Sequence, residues 1–180
     1  QKRQEEHCQA IAVAHHRDDN TETVLLNLTR GTGILGLTGM QPRNGYIVRP
    51  LLCVSREELV SYLKEIKIGY VTDSTNLESI YTRNKLRLDI IPLLREINPS
   101  FDNSMERTIA PLRDSEKFYR SAINEWCSRV CTINGKEITI DLKTLHQSPA
   151  PATLLYEIIS PLGFNSAQIE SMAQPELASG

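Results

Sequence analysis

The chain has 180 residues, 40% apolar and 23% charged, with 20 Lys+Arg against 22 Asp+Glu. A chain this long buries roughly 70% of its unfolded surface, so a core forms without staples, and the composition excludes a disordered or collagen-like protein. The net charge of −2 excludes a globally basic nucleic-acid binder, and four scattered cysteines exclude a disulfide scaffold. The longest apolar run, Ala10 to Ala14, is too short to span a membrane. The polar start, Gln1 to Glu6, has no apolar segment behind it, so a cytoplasmic protein with no membrane partner is expected.

Gln1 to Cys8 reads as the end of a helix, and Gln9 to Ala14 as a parallel strand buried on both faces. After His15 the pattern turns helical through Val24, Leu25 and Leu28, with Asp18 or Asp19 as N-cap and Gly31 as the stop. The glycine-rich stretch Arg30 to Gly39 is expected to be too flexible for a regular element. Gly45 to Arg49 predicts a short strand. Ser55 with Glu58 predicts a capping box, opening a helix that carries Leu59, Leu63 and Ile66 and stops at Gly69. Tyr70 to Thr72 reads as a brief strand and Asp73 to Asn76 as a turn. Ile80 to Arg95 reads as a helix interrupted or kinked at Pro92.

Asn98-Pro99-Ser100 is the expected domain boundary, giving domains 1–98 and 99–180. Beyond it, Phe101 to Cys131 predicts a long helix that Pro111 breaks or kinks. Asn134-Gly135 signals a turn into a strand over Glu137 to Asp141. Helices are expected around Leu142 to His146 and Ala152 to Leu162, and another begins at Ser166. The predicted fold class is α/β, the C-terminal part of a parallel-sheet domain followed by a mainly helical one.

The densest chemistry is His15-His-Arg-Asp-Asp-Asn-Thr-Glu-Thr23. In a parallel α/β sheet, ligands sit beyond the carboxyl ends of the strands, and this segment has that place. Asp19, Glu22 and Thr23 fall one turn apart on a helix face. Together with His15, such carboxylates hold Mg²⁺, orient a phosphate-bearing substrate or deprotonate an amine. The bland alternative for Asp18 is a helix cap. Cys127 and Cys131, at i and i+4, read as core-facing.

The cluster, with Asn27, Arg30-Gly-Thr-Gly33 and Gly36-Leu-Thr-Gly-Met40, resembles the tRNA(Ile)-lysidine synthetase family. Arg49-Pro-Leu-Leu52, Ser55-Arg-Glu-Glu58, Asp73-Ser-Thr-Asn76, Tyr81, Arg83-Asn-Lys-Leu-Arg87 and Ile91-Pro92 extend the resemblance over about residues 9–98. It implies an adenine nucleotide alpha-hydrolase-like PP-loop domain. It further implies ATP-dependent adenylation of the wobble cytidine of an isoleucine tRNA with a CAU anticodon. L-lysine then joins that base to form lysidine. On the matching positions, the resemblance makes His15, Asp19, Glu22 and Arg87 catalytic, and Asp18, Arg30 and Arg83 substrate-binding. The expected cofactors are ATP and Mg²⁺, the latter with Asp19 and Glu22 as candidate ligands. Expected partners are the tRNA, lysine and ATP, with a homodimer as one option.

One departure qualifies the resemblance. Such enzymes bind ATP through a PP-loop, SGGxDS, and no Ser-Gly-Gly occurs here. The chain is therefore expected to be truncated at its start, to be inactive alone, and to stop short of a further C-terminal tRNA-binding domain. A metal-dependent phosphohydrolase built on the His-His-Asp-Asp cluster, another PP-loop tRNA-modifying enzyme, and an inactive tRNA-binding fragment are the competing readings.

Overall fold

The chain opens on one helical turn, α1 (Lys2–Glu5), and reaches its first strand, β1 (Ile11–Ala12), in the computed structural model, which describes residues 2–70, 79–135 and 137–172. β1 runs parallel to β3 (Ile47–Val48), with Ile11 opposite Ile47 and Ala12 opposite Val48. β2 (Arg43–Asn44) lies antiparallel on the far side of β3. The expected buried strand is thus a two-residue edge strand with both residues exposed. Among the described residues it pairs on one side only, so one edge stays open. β2 escapes sequence reading because Arg-Asn carries no apolar alternation. It forms because Gly45, at φ +58, reverses the chain into β3.

α2 (Arg17–Arg30) begins earlier than expected, with His16 as its N-cap. A ring nitrogen of His16 accepts the Asp19 N–H, and the Asp19 carboxylate accepts the His16 N–H. This is a capping box with histidine in place of serine or threonine. Gly31 ends the helix at φ +74. The glycine-rich stretch is not structureless, since Ile34–Leu37 forms α3 and Asn27 Nδ2 donates to the Gly36 carbonyl.

Next comes Gly39 at φ +66, where a Cβ would meet the Asn20 side chain. Asn20 is buried, and its Oδ1 accepts the Met40 N–H at 2.6 Å. Arg113 donates to the carbonyls of Thr38 and Met40 at 3.0 and 2.8 Å. The loop is therefore clamped against the back of α2.

A 3₁₀ turn at Pro50–Cys53 leads to α4 (Arg56–Glu65), opened by the expected Ser55–Glu58 capping box. α4 ends before Gly69. Lys67 takes φ +55, and the Ile68 N–H closes onto Leu63 O at 3.0 Å, so the stop does not use the glycine. The expected strand and turn at residues 70–76 lie, from 71 onward, outside the described residues. α5 (Ser79–Lys85) passes into a π-helical turn, Leu86–Ile90, and then into α6 (Ile91–Ile97) with Pro92 in its first turn. The interruption expected at Pro92 is this π turn. Of the break or kink expected at Pro111, the break does not occur, and α7 (Phe101–Val130) continues through it.

By internal contacts the chain divides into two units, Gln1–Glu116 and Lys117–Gly180. In the first, Val24 and Leu26 of α2, Leu86, Ile91 and Ile109 are buried. In the second, β4 (Cys131–Asn134) and β5 (Glu137–Ile140) form an antiparallel hairpin in which Gly135 takes φ +63. β4 stands where the helix was expected to end. α8 (Leu142–His146), α9 (Pro151–Ile159) and α10 (Ser166–Met172) complete this unit. Its core joins Val130, Leu145, Leu154, Leu155, Ile159 and Ile169, with Cys127 and Cys131 packed against it. Among the described residues, no helix is long and apolar enough to cross a membrane.

Leu145 is 0% exposed, so Leu145→Ala removes a full side chain from this core. A loss of about 2–5 kcal/mol is expected. Trp126, the single tryptophan, packs on the same core and reports it as a lowered urea midpoint by fluorescence.

Candidate active site

The two parallel strands end at Ala12 and Val48, and His15 and Arg49 follow them in the chain. Arg49 donates from Nε to His15 Nδ1 at 3.4 Å and from Nη1 to the Gln41 carbonyl at 2.9 Å. A ring nitrogen that accepts carries no proton, so the neutral His15 ring keeps its proton on Nε2.

One turn into α2, Glu22 is 2% exposed. A buried carboxylate needs a partner, and Arg87 supplies it. Nε reaches Glu22 Oε1 at 2.6 Å and Nη2 reaches Oε2 at 3.0 Å, a bidentate fork. The same Nη2 lies 3.4 Å from Asp19 Oδ1. Asp19 Oδ2 is held by the His16 N–H at 3.0 Å. The hydrogen bond to Glu22 raises the Arg87 pKa further above its ordinary value, with the Glu22 and Asp19 charges adding to it and burial opposing. The guanidinium remains charged throughout. Arg83 Nη2 lies 3.4 Å from Thr23 Oγ1, whose hydroxyl donates to the Asp19 carbonyl at 2.8 Å.

Asp18, one turn before Glu22 on α2, meets α4. Its Oδ2 accepts the Arg56 N–H at 2.8 Å, at the start of α4, and Arg17 reaches Glu58 at 3.2 Å, so the N-termini of α2 and α4 are tied together. Arg95 Nη2 lies 3.6 Å from Asp18 Oδ1 and forks onto Asp102 at 2.9 and 3.0 Å. These groups line a cavity of about 700 Å³ that includes His16, Asp18, Glu22, Arg56, Arg87 and Arg95.

Once protonated in acid, the His16 ring, its Nδ1 3.4 Å from Asp18 Oδ2, and the Arg56 N–H hold the Asp18 carboxyl well below the usual carboxylate range, burial opposing them. A depressed carboxylate stabilises the fold above its unfolded pKa, and that contribution is lost as the pH falls. Wild type is therefore expected to exceed Asp18→Asn in urea midpoint at neutral pH. The gap should narrow as the pH drops below about 4.

Of the expected site residues, His15, Asp18, Asp19, Glu22, Arg83 and Arg87 gather at this end of α2. Arg30 does not. It is exposed in the last turn of α2, about 16 Å along the axis from Asp19. Sequence reasoning missed His16 as cap, Arg49 as the partner of His15, and Arg95 on Asp18. The Arg87 guanidinium, forked on Glu22 and 3.4 Å from Asp19, already supplies the positive charge that a divalent cation would bring to this pair, so the carboxylates do not fit one as arranged. Among the described residues, no group of three or more His, Cys, Asp or Glu side chains is placed to hold a metal ion.

A parallel strand pair with a chemistry-bearing helix start beyond its carboxyl ends is the arrangement in which α/β proteins bind ligands. The model of the PP-loop domain matches residues 1–94, and the chain belongs to that family. A second model, the TilS substrate binding domain, matches residues 133–175. Within the PP-loop proteins, the chain is a member of the tRNA(Ile)-lysidine synthase family. It is similar to the tRNA(Ile)-lysidine synthase of Bacteroides thetaiotaomicron, 54% identical over 163 residues that make up 91% of this chain and 37% of that protein. The enzyme of the same name from Parabacteroides distasonis is 49% identical over 87% of this chain and 35% of its own length. That from Bacillus anthracis is 32% identical over 91% and 37%. The chain thus spans little more than a third of the length of these relatives.

Proposed function

We propose that this chain supplies the lysine-handling and catalytic side of an ATP-dependent tRNA modification. In that reaction the wobble cytidine of an isoleucine tRNA with a CAU anticodon is adenylated, and lysine is joined to it through a new C–N bond. The observation that carries this reading is the fork of Arg87 on the buried Glu22 with its further contact to Asp19, at the carboxyl ends of the parallel strands of a PP-loop domain.

The cytidine O2 attacks the α-phosphorus of ATP, the bond to pyrophosphate breaks and pyrophosphate leaves, and the adenylate so formed makes carbon 2 electrophilic. The lysine side-chain amine attacks that carbon, and AMP departs with the former cytidine oxygen. The attacking nitrogen must lose protons, and a carboxylate within reach accepts one. Asp19 is the more open of the two, with 16% of its side chain exposed against 2% for Glu22. It is the residue assigned to the ammonium and its proton. Glu22 keeps Arg87 fixed, and Arg87 offers its exposed part to negative charge in the cavity. His15, with its proton on Nε2, donates a hydrogen bond. Asp18 orders the wall of the substrate pocket, and Arg83 and Arg30 serve the tRNA backbone. No Ser-Gly-Gly lies in these 180 residues, so the phosphate cradle is not assigned to them. Mg²⁺ is assigned to the nucleotide rather than to Asp19 and Glu22. The proposed setting is the cytoplasm, the first unit being catalytic and the second serving the tRNA. Assembly as a homodimer belongs to the same proposal.

The test uses the gene product that contains this sequence, incubated with ATP, lysine and the isoleucine tRNA. Lysidine in the nucleoside digest, dependent on all three, is the expected result. Nucleotide hydrolysis with no change in the tRNA would overturn the reading.

A further inference from the structure

We propose that Pro92 is a positioning residue of this site, its missing N–H holding open the π-helical turn that puts Arg87 and Arg95 on one face of the helix. The inference rests on the reading of Arg87, Asp19 and Glu22 as the reacting cluster and adds to it a residue that acts through the backbone of the helix that carries Arg87.

At about 100° per residue, positions eight apart on an α-helix are offset by about 80°, which would aim Arg87 and Arg95 at different surroundings. A π turn absorbs one residue, so the pair behaves as if seven apart, an offset of about 20° in the other sense. The turn is present, since the Ile91 N–H donates to the Leu86 carbonyl, five residues back. Burial follows the same count. Leu86 and Ile91 are buried, whereas Ile90, which an α-helix would stack over Leu86, is exposed. Both arginines consequently line one cavity, Arg87 on Glu22 and Asp19, Arg95 beside Asp18.

Pro92 supplies the cause. In a continuous α-helix residue 92 would donate to the Leu88 carbonyl, but proline has no N–H and its ring collides with that carbonyl. Widening the turn moves the carbonyl aside. Such turns are rare in helices and fall frequently at functional sites.

Pro92→Ala and Pro92→Ser each restore a donor and let α-helical bonding run through the turn. In the gene product, kcat for lysidine formation is expected to fall about 10–100-fold with either variant, while the KM for tRNA stays within about twofold. A thermal-unfolding cycle without substrate decides the matter. Arg87→Ala lowers the midpoint in the wild-type background, and in the Pro92→Ala background that loss should shrink by at least half, because the Arg87–Glu22 fork is already displaced. An undiminished loss overturns the proposal, whatever happens to the rate. A diminished loss in a gene product that makes no lysidine upholds the role of Pro92 and overturns the functional reading instead.

Discussion

Replacing Arg87 by alanine is expected to lower the unfolding free energy by about 2–4 kcal/mol, toward the lower side of what breaking a buried ion pair costs. The reason is the asymmetry of the pair. Glu22 has 2% of its side chain exposed and Arg87 39%, so removing the arginine strands a charge that water cannot reach, while the arginine itself loses little. Glu22→Gln in the Arg87→Ala background removes the stranded charge and should recover most of the loss. Arg87→Lys keeps the charge but not the two-pronged geometry, and should recover only part. Urea unfolding followed by circular dichroism distinguishes the four proteins. A single variant as stable as wild type would show that the fork adds nothing to the fold.

The largest effect on chemistry is expected from Asp19→Asn and Glu22→Gln, each lowering lysidine formation by at least about 100-fold. Both substitutions keep size and most hydrogen-bonding capacity, so the loss reports charge rather than packing. Affinity for tRNA should change little, since neither side chain is among the proposed backbone contacts. Filter binding of tRNA, run beside single-turnover modification, separates the two quantities. Near-wild-type turnover by either variant would remove that residue from the mechanism.

The cluster was legible because it is contiguous. One turn of helix brings Asp19, Glu22 and Thr23 together by periodicity alone, and the strand before it places them at a ligand-binding edge. Arg87 lies 65 residues from Glu22, and no periodicity links the two. Only the resemblance named it. Arg95 was not legible at all, because reading a helix at 3.6 residues per turn assumes a constant count, and the π turn at Leu86–Ile90 changes it. Histidine as a cap was missed for a related reason. Capping rules favour short side chains that reach back easily, and His16 meets the need only with Asp19 completing the box. The first strand was over-read, since an apolar run marks a capacity for burial, and β1 is covered only where a neighbour exists.

The clamp behind α2 has a consequence for how the site can move. Asn20, Met40 and Arg113 fasten the rear of the helix to the segment around Gly39 with buried, charge-assisted or short hydrogen bonds. Amide protons there should exchange with solvent among the slowest of the first unit, and those around the half-exposed Arg87 sooner. Asp19 and Glu22 thus stand on a helix fastened from behind, and Glu22 in turn holds Arg87. The cluster is therefore expected to meet an incoming molecule already ordered, so that little of the binding free energy goes into arranging it.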